Sequence, residues 1–304
     1  MFAELGAATL ASMALTIPDF DYQRITVGDG VGLNVAIGGD GTPVVLLHGF
    51  PQTHLAWRHV ATALAADHRV ICPDLRGYGA SDKPADDRDH TVYSKRTMAT
   101  DLVELLAHLG HHRFAVAGHD RGAGVAFRAG LDHPDTITHA AFLDVVPSLD
   151  IWPLLTGPTG VALFHLYFMA HPAPLPETLI TAAAHTYLGH FLDQWTTDPA
   201  AIPDQFRHAY LDACSTPEAI TAICADYRAG ATTDIAHDAG DRTAARQLTM
   251  PTTALWTPTW PFDPEPLWRT WATDLRTTIV PGGHLLPEDN PTEITAALRE
   301  LLSR

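Results

Sequence analysis

The sequence predicts an α/β fold, with a mostly parallel sheet, helices on both faces and a helical cap inserted after the sixth strand. Three observations predict it. Short apolar runs alternate with helix-like segments at both ends of the chain, as in sheets buried on both faces. One run, Phe114 to Ala117, leads into the glycine-flanked turn Gly118-His119-Asp120-Arg121-Gly122 and then a stretch of small and apolar residues. This is the strand, tight turn and helix context that exposes a nucleophile. The alternation stops between about 149 and 240, where alanine, threonine, histidine and aromatic residues recur with helical periodicity and no strand-like run.

The elements follow in order. Residues 1–20 read as an N-terminal extension. Its opening, MFAELGAATLASMAL, is apolar but carries Glu4 and no basic leader, a poor signal peptide, and Met13 is an alternative start. Residues 24–37 alternate around Gly-Asp-Gly and predict a hairpin. Buried strands are expected at 44–48, 69–75, 114–120, 139–146, 253–257 and 277–283, with helices at 54–66, 94–109, 121–132 and 291–302. The core is therefore assigned to 21–148 and 241–304, and the cap to 149–240. A cap there lies over the carboxyl ends of the strands, where open α/β sheets bind ligands, and excludes water from what it covers.

Composition narrows the function. At 304 residues and 46% apolar content, one core fold with an insertion is expected and disorder is not. The formal charge of −16, from 19 basic and 35 acidic residues, argues against nucleic acid and anionic membranes as partners. No run reaches the roughly 18 apolar residues of a membrane span. Cys72, Cys214 and Cys224 show neither metal-ligand spacing nor a paired framework, so free thiols in a reducing, cytoplasmic setting are expected. No cofactor and no metal are predicted.

A nucleophile at such a turn needs an acid and a histidine later in the chain. Asp144, ending the strand in AAFLDVVP, and His284, after the last strand in IVPGGHLLPEDNP, supply that order. Asp263, after the seventh strand, is a rival acid. His48-Gly49-Phe50-Pro51 ends the third strand, so the backbone N–H groups of Phe50 and Arg121 can form an oxyanion hole. An aspartate nucleophile, unlike serine, is ionised at neutral pH and attacks an sp³ carbon to give an ester on the enzyme. His284 then activates water to hydrolyse the ester, with Asp144 orienting its ring. His119, beside the nucleophile, is expected to be buried and structural.

The segments HGFPQTHLAWR, DLRGYGASDKP, GHDRG, LDHPD, DYRAG and PGGH together resemble the fluoroacetate dehalogenase group of the α/β-hydrolase superfamily, from about residue 21 to the end. The resemblance implies hydrolytic dehalogenation of a small 2-halocarboxylate. It assigns Asp120 as nucleophile, Asp144 as acid, His284 as base and Arg121 as the residue that binds the substrate carboxylate. It places His165 and Tyr227 on the halide and Trp195 in the pocket, and it implies a small-molecule substrate, water and a possible homodimer. Two positions depart from the group. Gly124 stands where a second carboxylate-binding arginine is found, and Leu166 where a tryptophan donates to the halide. Chloride and bromide are thus expected to leave more readily than fluoride, and a larger carboxylate is expected to fill the space at Gly124. An epoxide hydrolase, using the same aspartate chemistry, is the alternative. Tyr227 matches one of its two cap tyrosines, while Phe164 appears at the other. A non-hydrolytic ligand-binding protein on the same fold is a third possibility.

Overall fold

A computed structural model describes residues 15–304. Most of the expected N-terminal extension, including Met13, lies outside the described residues. Residues 15–20 are no loose tail: Ile17 is buried in the core, and its N–H donates to the Tyr22 hydroxyl at 2.8 Å.

The strands are β1 (Asp21–Val27), β2 (Val31–Gly38), β3 (Thr42–Leu47), β4 (His68–Pro73), β5 (Phe114–His119), β6 (Ile137–Leu143), β7 (Thr252–Trp256) and β8 (Leu275–Ile279). They form one sheet in the order β1-β2-β4-β3-β5-β6-β7-β8. The β1–β2 and β2–β4 pairs are antiparallel; every other pair is parallel. All six residues of β5 are buried, as its unbroken apolar run demands of a strand covered on both faces.

Three helices precede the cap: α1 (Arg58–Leu64), α2 (Lys95–His108) and α3 (Arg121–Asp132). Between β6 and β7 come only helices: α4 (Ser148–Ile151), α5 (Gly157–Ala162), α6 (Phe164–Ala170), α7 (Leu175–Ala182), α8 (Ala184–Gln194), α9 (Asp204–Cys214), α10 (Pro217–Ala231) and α11 (Thr233–Thr243), with single 3₁₀ turns. The cap so defined begins one residue earlier and ends three later than the pattern suggested. Then follow α12 (Glu265–Arg269), α13 (Leu286–Asp289) and α14 (Pro291–Leu302).

Buried polar groups tie cap to core. Glu288 of α13 accepts from Tyr210 of α9 at 2.5 Å and from Gln52 at 3.1 Å, and pairs with Arg58. Arg128 of α3 pairs with Asp238 and Asp241 of α11. Asp150 of α4 accepts from the Trp271 indole at 2.6 Å. Each tie satisfies a charge that burial would otherwise penalise.

Candidate active site

Asp120 sits on the turn between β5 and α3 with φ 48° and ψ −117°, a backbone region that is costly outside glycine. The turn is possible because its neighbours lack side chains. A Cβ on Gly122 would lie 2.4 Å from the carbonyl oxygens of Leu47 and His48, and one on Gly49 would lie 2.5 Å from the Asp120 Cβ. The two glycines let the loop after β3 and the start of α3 close around the carboxylate.

The two carboxylate oxygens differ. Oδ1 accepts the Phe50 N–H at 2.9 Å. Oδ2 faces His284 Nε2 at 3.6 Å, beyond a direct hydrogen bond. Arg121 is the first residue of α3, so its N–H lies outside the helix's own ladder. On its other side His284 Nδ1 donates to Asp144 Oδ2 at 2.6 Å. Asp144 follows β6 and is held through Oδ1 by the Thr257 N–H at 2.9 Å and the Trp260 indole at 2.7 Å. Asp263 has no part in this: it is turned to its own loop, accepting the Glu265 N–H at 3.0 Å.

Burial works against the charge on both members of the pair, and each restores the other's. Burial would lower the His284 pKa, but the Asp120 and Asp144 carboxylates raise it to about 10. Burial would raise that of Asp120, but His284, His119 and Arg121 hold it well below the ordinary carboxylate range. His119 lies beneath, fully buried, donating through Nε2 to the His284 carbonyl at 2.7 Å, and burial lowers its pKa to about 4.

A cavity of about 350 Å³ opens over Asp120. Arg121, Gly124, His165, Leu166, Trp195, Tyr227 and His284 all line it. The buried Tyr227 hydroxyl and His165 Nδ1 have no hydrogen-bond partner. Burial lowers the His165 pKa to about 3 and, with the Asp120 charge, raises that of Tyr227 well above its usual value. Both are therefore neutral at pH 7, and the tyrosine keeps its proton. Trp195 meets the His284 ring edge-on at 4.7 Å, and its carbonyl accepts the Leu285 N–H at 3.1 Å.

The structure corrects one expectation, the free space at Gly124, and places Phe164 and Arg121 more closely. Phe164 is 40% exposed on the cap and does not line the cavity; His165 faces Tyr227 instead, with ring centroids 5.8 Å apart. The space beside Gly124 is not free for a ligand, because the Lys95 stem crosses it: a Cβ at position 124 would lie 3.2 Å from Lys95 Cε. Nor is Arg121 an open fork. Its Nε and Nη2 donate to Asp226 Oδ2 and Oδ1, each at 2.8 Å, and Nη2 also to the Asp226 carbonyl. Lys95, Asp226 and Trp260 were missed by sequence reasoning. The signal for Asp226 was its place in ITAICADYRAG, a carboxylate in an apolar helix stretch that must find a cation if buried.

The sequence pattern of the alpha/beta hydrolase fold matches residues 42–291. The chain belongs to the alpha/beta hydrolase family. It is 37% identical to a fluoroacetate dehalogenase from Burkholderia sp over 93% of this chain and 94% of that one. It is 34% identical to a soluble epoxide hydrolase from Corynebacterium sp. over 86% of this chain and 91% of that one. Among solved structures, an alpha/beta hydrolase from Nostoc sp PCC 7120 superposes with a TM-score of 0.92 at 38% identity, covering 95% of this chain and all of that one. Among the described residues of this hydrolase, no group of three or more His, Cys, Asp or Glu side chains is placed to hold a metal, and no helix is long and apolar enough to cross a membrane.

Proposed function

We propose that this hydrolase removes halide from a 2-halocarboxylate through an ester on Asp120. The observation that carries the reading is the unequal carboxylate. Oδ1 is held by the Phe50 N–H, while Oδ2 is free of backbone donors and faces the cavity side where His284 stands. Oδ2 attacks the carbon bearing the halogen, the carbon–halogen bond breaks, and halide leaves toward the Tyr227 hydroxyl and His165. The ester keeps Oδ1 as its carbonyl oxygen. His284 takes a proton from water, the hydroxide adds at Asp120 Cγ, and the charge on Oδ1 is received by the N–H groups of Phe50 and Arg121. Collapse releases the 2-hydroxycarboxylate and regenerates the carboxylate, so one water is consumed and one proton and one halide are released.

The substrate carboxylate is assigned to Arg121, whose Nη1 is the guanidinium nitrogen not bonded to Asp226. A cavity of about 350 Å³ is far larger than the five heavy atoms of a haloacetate require, each water in liquid filling only ~30 Å³. A bulkier 2-haloacid is therefore favoured. The buried, free Cys72, Cys214 and Cys224 support a reducing, cytoplasmic setting.

Epoxide hydrolysis is the second reading. It is favoured by the Tyr227–His165 pair, two neutral side chains packed edge to face on the cavity wall and able to hold a ring oxygen as well as a halide. Halide release from chloroacetate, set against diol formation from styrene oxide, separates the two. Chloride release at least about 100-fold faster in kcat/KM supports the dehalogenase, and the reverse ranking replaces it with the epoxide hydrolase.

A further inference from the structure

Lys95 is the first residue of α2 and is buried, 5% exposed, yet it lines the same cavity as Asp120 and Arg121. Its stem fills the space over Gly124, and its Nζ pairs with Asp226 Oδ1. Its backbone N–H donates to Asp234 Oδ1 at 2.8 Å, and Asp234 Oδ2 lies 3.9 Å from Nζ. Asp226 is fully buried and accepts from Lys95, Arg121 and the Tyr78 hydroxyl. Lys95 and Arg121 thus share Asp226, with Asp234 as a second carboxylate beside Lys95.

The sharing matters because little of the cavity's positive charge is unpaired. Its wall carries Asp120, Asp144, Asp234 and Asp238 against Lys95, Arg121, Arg128 and His284. Arg128 is already taken by Asp238 and Asp241, and His284 by Asp144. Were Arg121 the only cation here, Asp226 and Asp234 together would leave a net negative charge beside an incoming anion. Lys95 pairs with Asp226, lies 3.9 Å from Asp234 and cancels that excess, so the Arg121 guanidinium, stacked 4.4 Å over the Tyr227 ring, can answer an anion through Nη1.

We propose that Lys95 is the positioning residue that makes this cavity select an anionic substrate. It acts through Asp226, and its stem occupies the gap that Gly124 leaves. This rests on the assignment of a carboxylate substrate above. The test compares chloroacetate with chloroacetamide, which carries the same carbon–chlorine bond without the charge, in the wild type, Lys95→Gln, Lys95→Met and Lys95→Arg. Glutamine keeps a shorter, uncharged donor, and methionine keeps the apolar stem without one. The expected result is a roughly tenfold rise in KM for chloroacetate in the Gln and Met variants, with kcat within about threefold, no change for chloroacetamide, and recovery in the Arg variant. Equal losses on both substrates, or an unchanged chloroacetate KM in a variant that melts like the wild type, overturn the proposal. A wild type that does not prefer chloroacetate to chloroacetamide overturns the carboxylate assignment itself, and the role of Lys95 with it.

Discussion

His284 has two tasks that need different charges, and the chemistry of Asp120 switches it between them. In the free enzyme two carboxylates hold its pKa at about 10. Once Asp120 is an ester, one of those carboxylates is neutral, so the His284 pKa must fall and the ring becomes a base. Ester formation needs only an ionised Asp120, which His284 secures far below neutrality. Hydrolysis needs a neutral His284 and so speeds up as pH rises. The expected outcome is that the steady-state fraction of esterified enzyme grows as pH is lowered from about 9 to about 6, seen by mass spectrometry of acid-quenched turnover mixtures. A fraction that grows with rising pH would contradict this sign. The halide side is equally testable. Tyr227 and His165 bring two donors, and Leu166 brings none. Removing the hydroxyl in Tyr227→Phe should slow fluoroacetate by about 100- to 1000-fold and bromoacetate less, because fluoride depends most on hydrogen bonding. Leu166→Trp should raise fluoroacetate turnover selectively. Parallel halide-release assays check both.

At the scale of elements, the elbow is the most constrained part of the chain. Gly122→Ala drives a Cβ to 2.4 Å from two carbonyl oxygens of the β3 end, which are backbone and cannot step aside. A loss of ~1–3 kcal/mol with near-complete loss of activity is expected. Gly124→Ala, two residues on, meets only the Lys95 side chain at 3.2 Å and should melt close to the wild type. Thermal melts of the two variants side by side check the contrast. These elements were legible from the sequence because their signals are local. β5 is a continuous apolar run, β3, β4, β6 and β7 carry shorter ones, α3 starts at the glycine turn, and Asp120, Asp144 and His284 each follow a strand. What was hidden depended on distance in space. Lys95 at the start of α2 reaches Gly124 on α3 and Asp226 on α10, and neither periodicity nor motif spacing records that meeting. Phe164 and His165 are neighbours on one helix. Sequence alone cannot say which faces inward, and helix rotation gives the cavity to the histidine.

For the whole molecule, cap and core act as one site because buried charges tie them together on top of a shared apolar core. Asp226 with Lys95, Arg121 and Tyr78 holds the helix that carries Tyr227 to the core, and Glu288 with Tyr210 and Arg128 with Asp238 and Asp241 hold the helices before and after it. The whole chain carries a net charge of −16, so an anionic substrate is repelled at long range and attracted only close to the cations of the cavity, Arg121 first among them. Raising ionic strength from about 10 to about 150 mM with a halide-free salt should therefore increase kcat/KM for chloroacetate and leave chloroacetamide unchanged, the screening length shrinking from ~30 to ~8 Å. Initial rates at low substrate measure this directly. The central claim is that catalysis passes through a covalent bond to Asp120. Its most direct test is intact-mass and peptide analysis of His284→Asn after mixing with bromoacetate, since attack proceeds without the base while hydrolysis stalls. A carboxymethyl adduct on the peptide carrying Asp120, absent in Asp120→Asn, is the predicted result; bromide release with no adduct, or an adduct on another peptide, would contradict it.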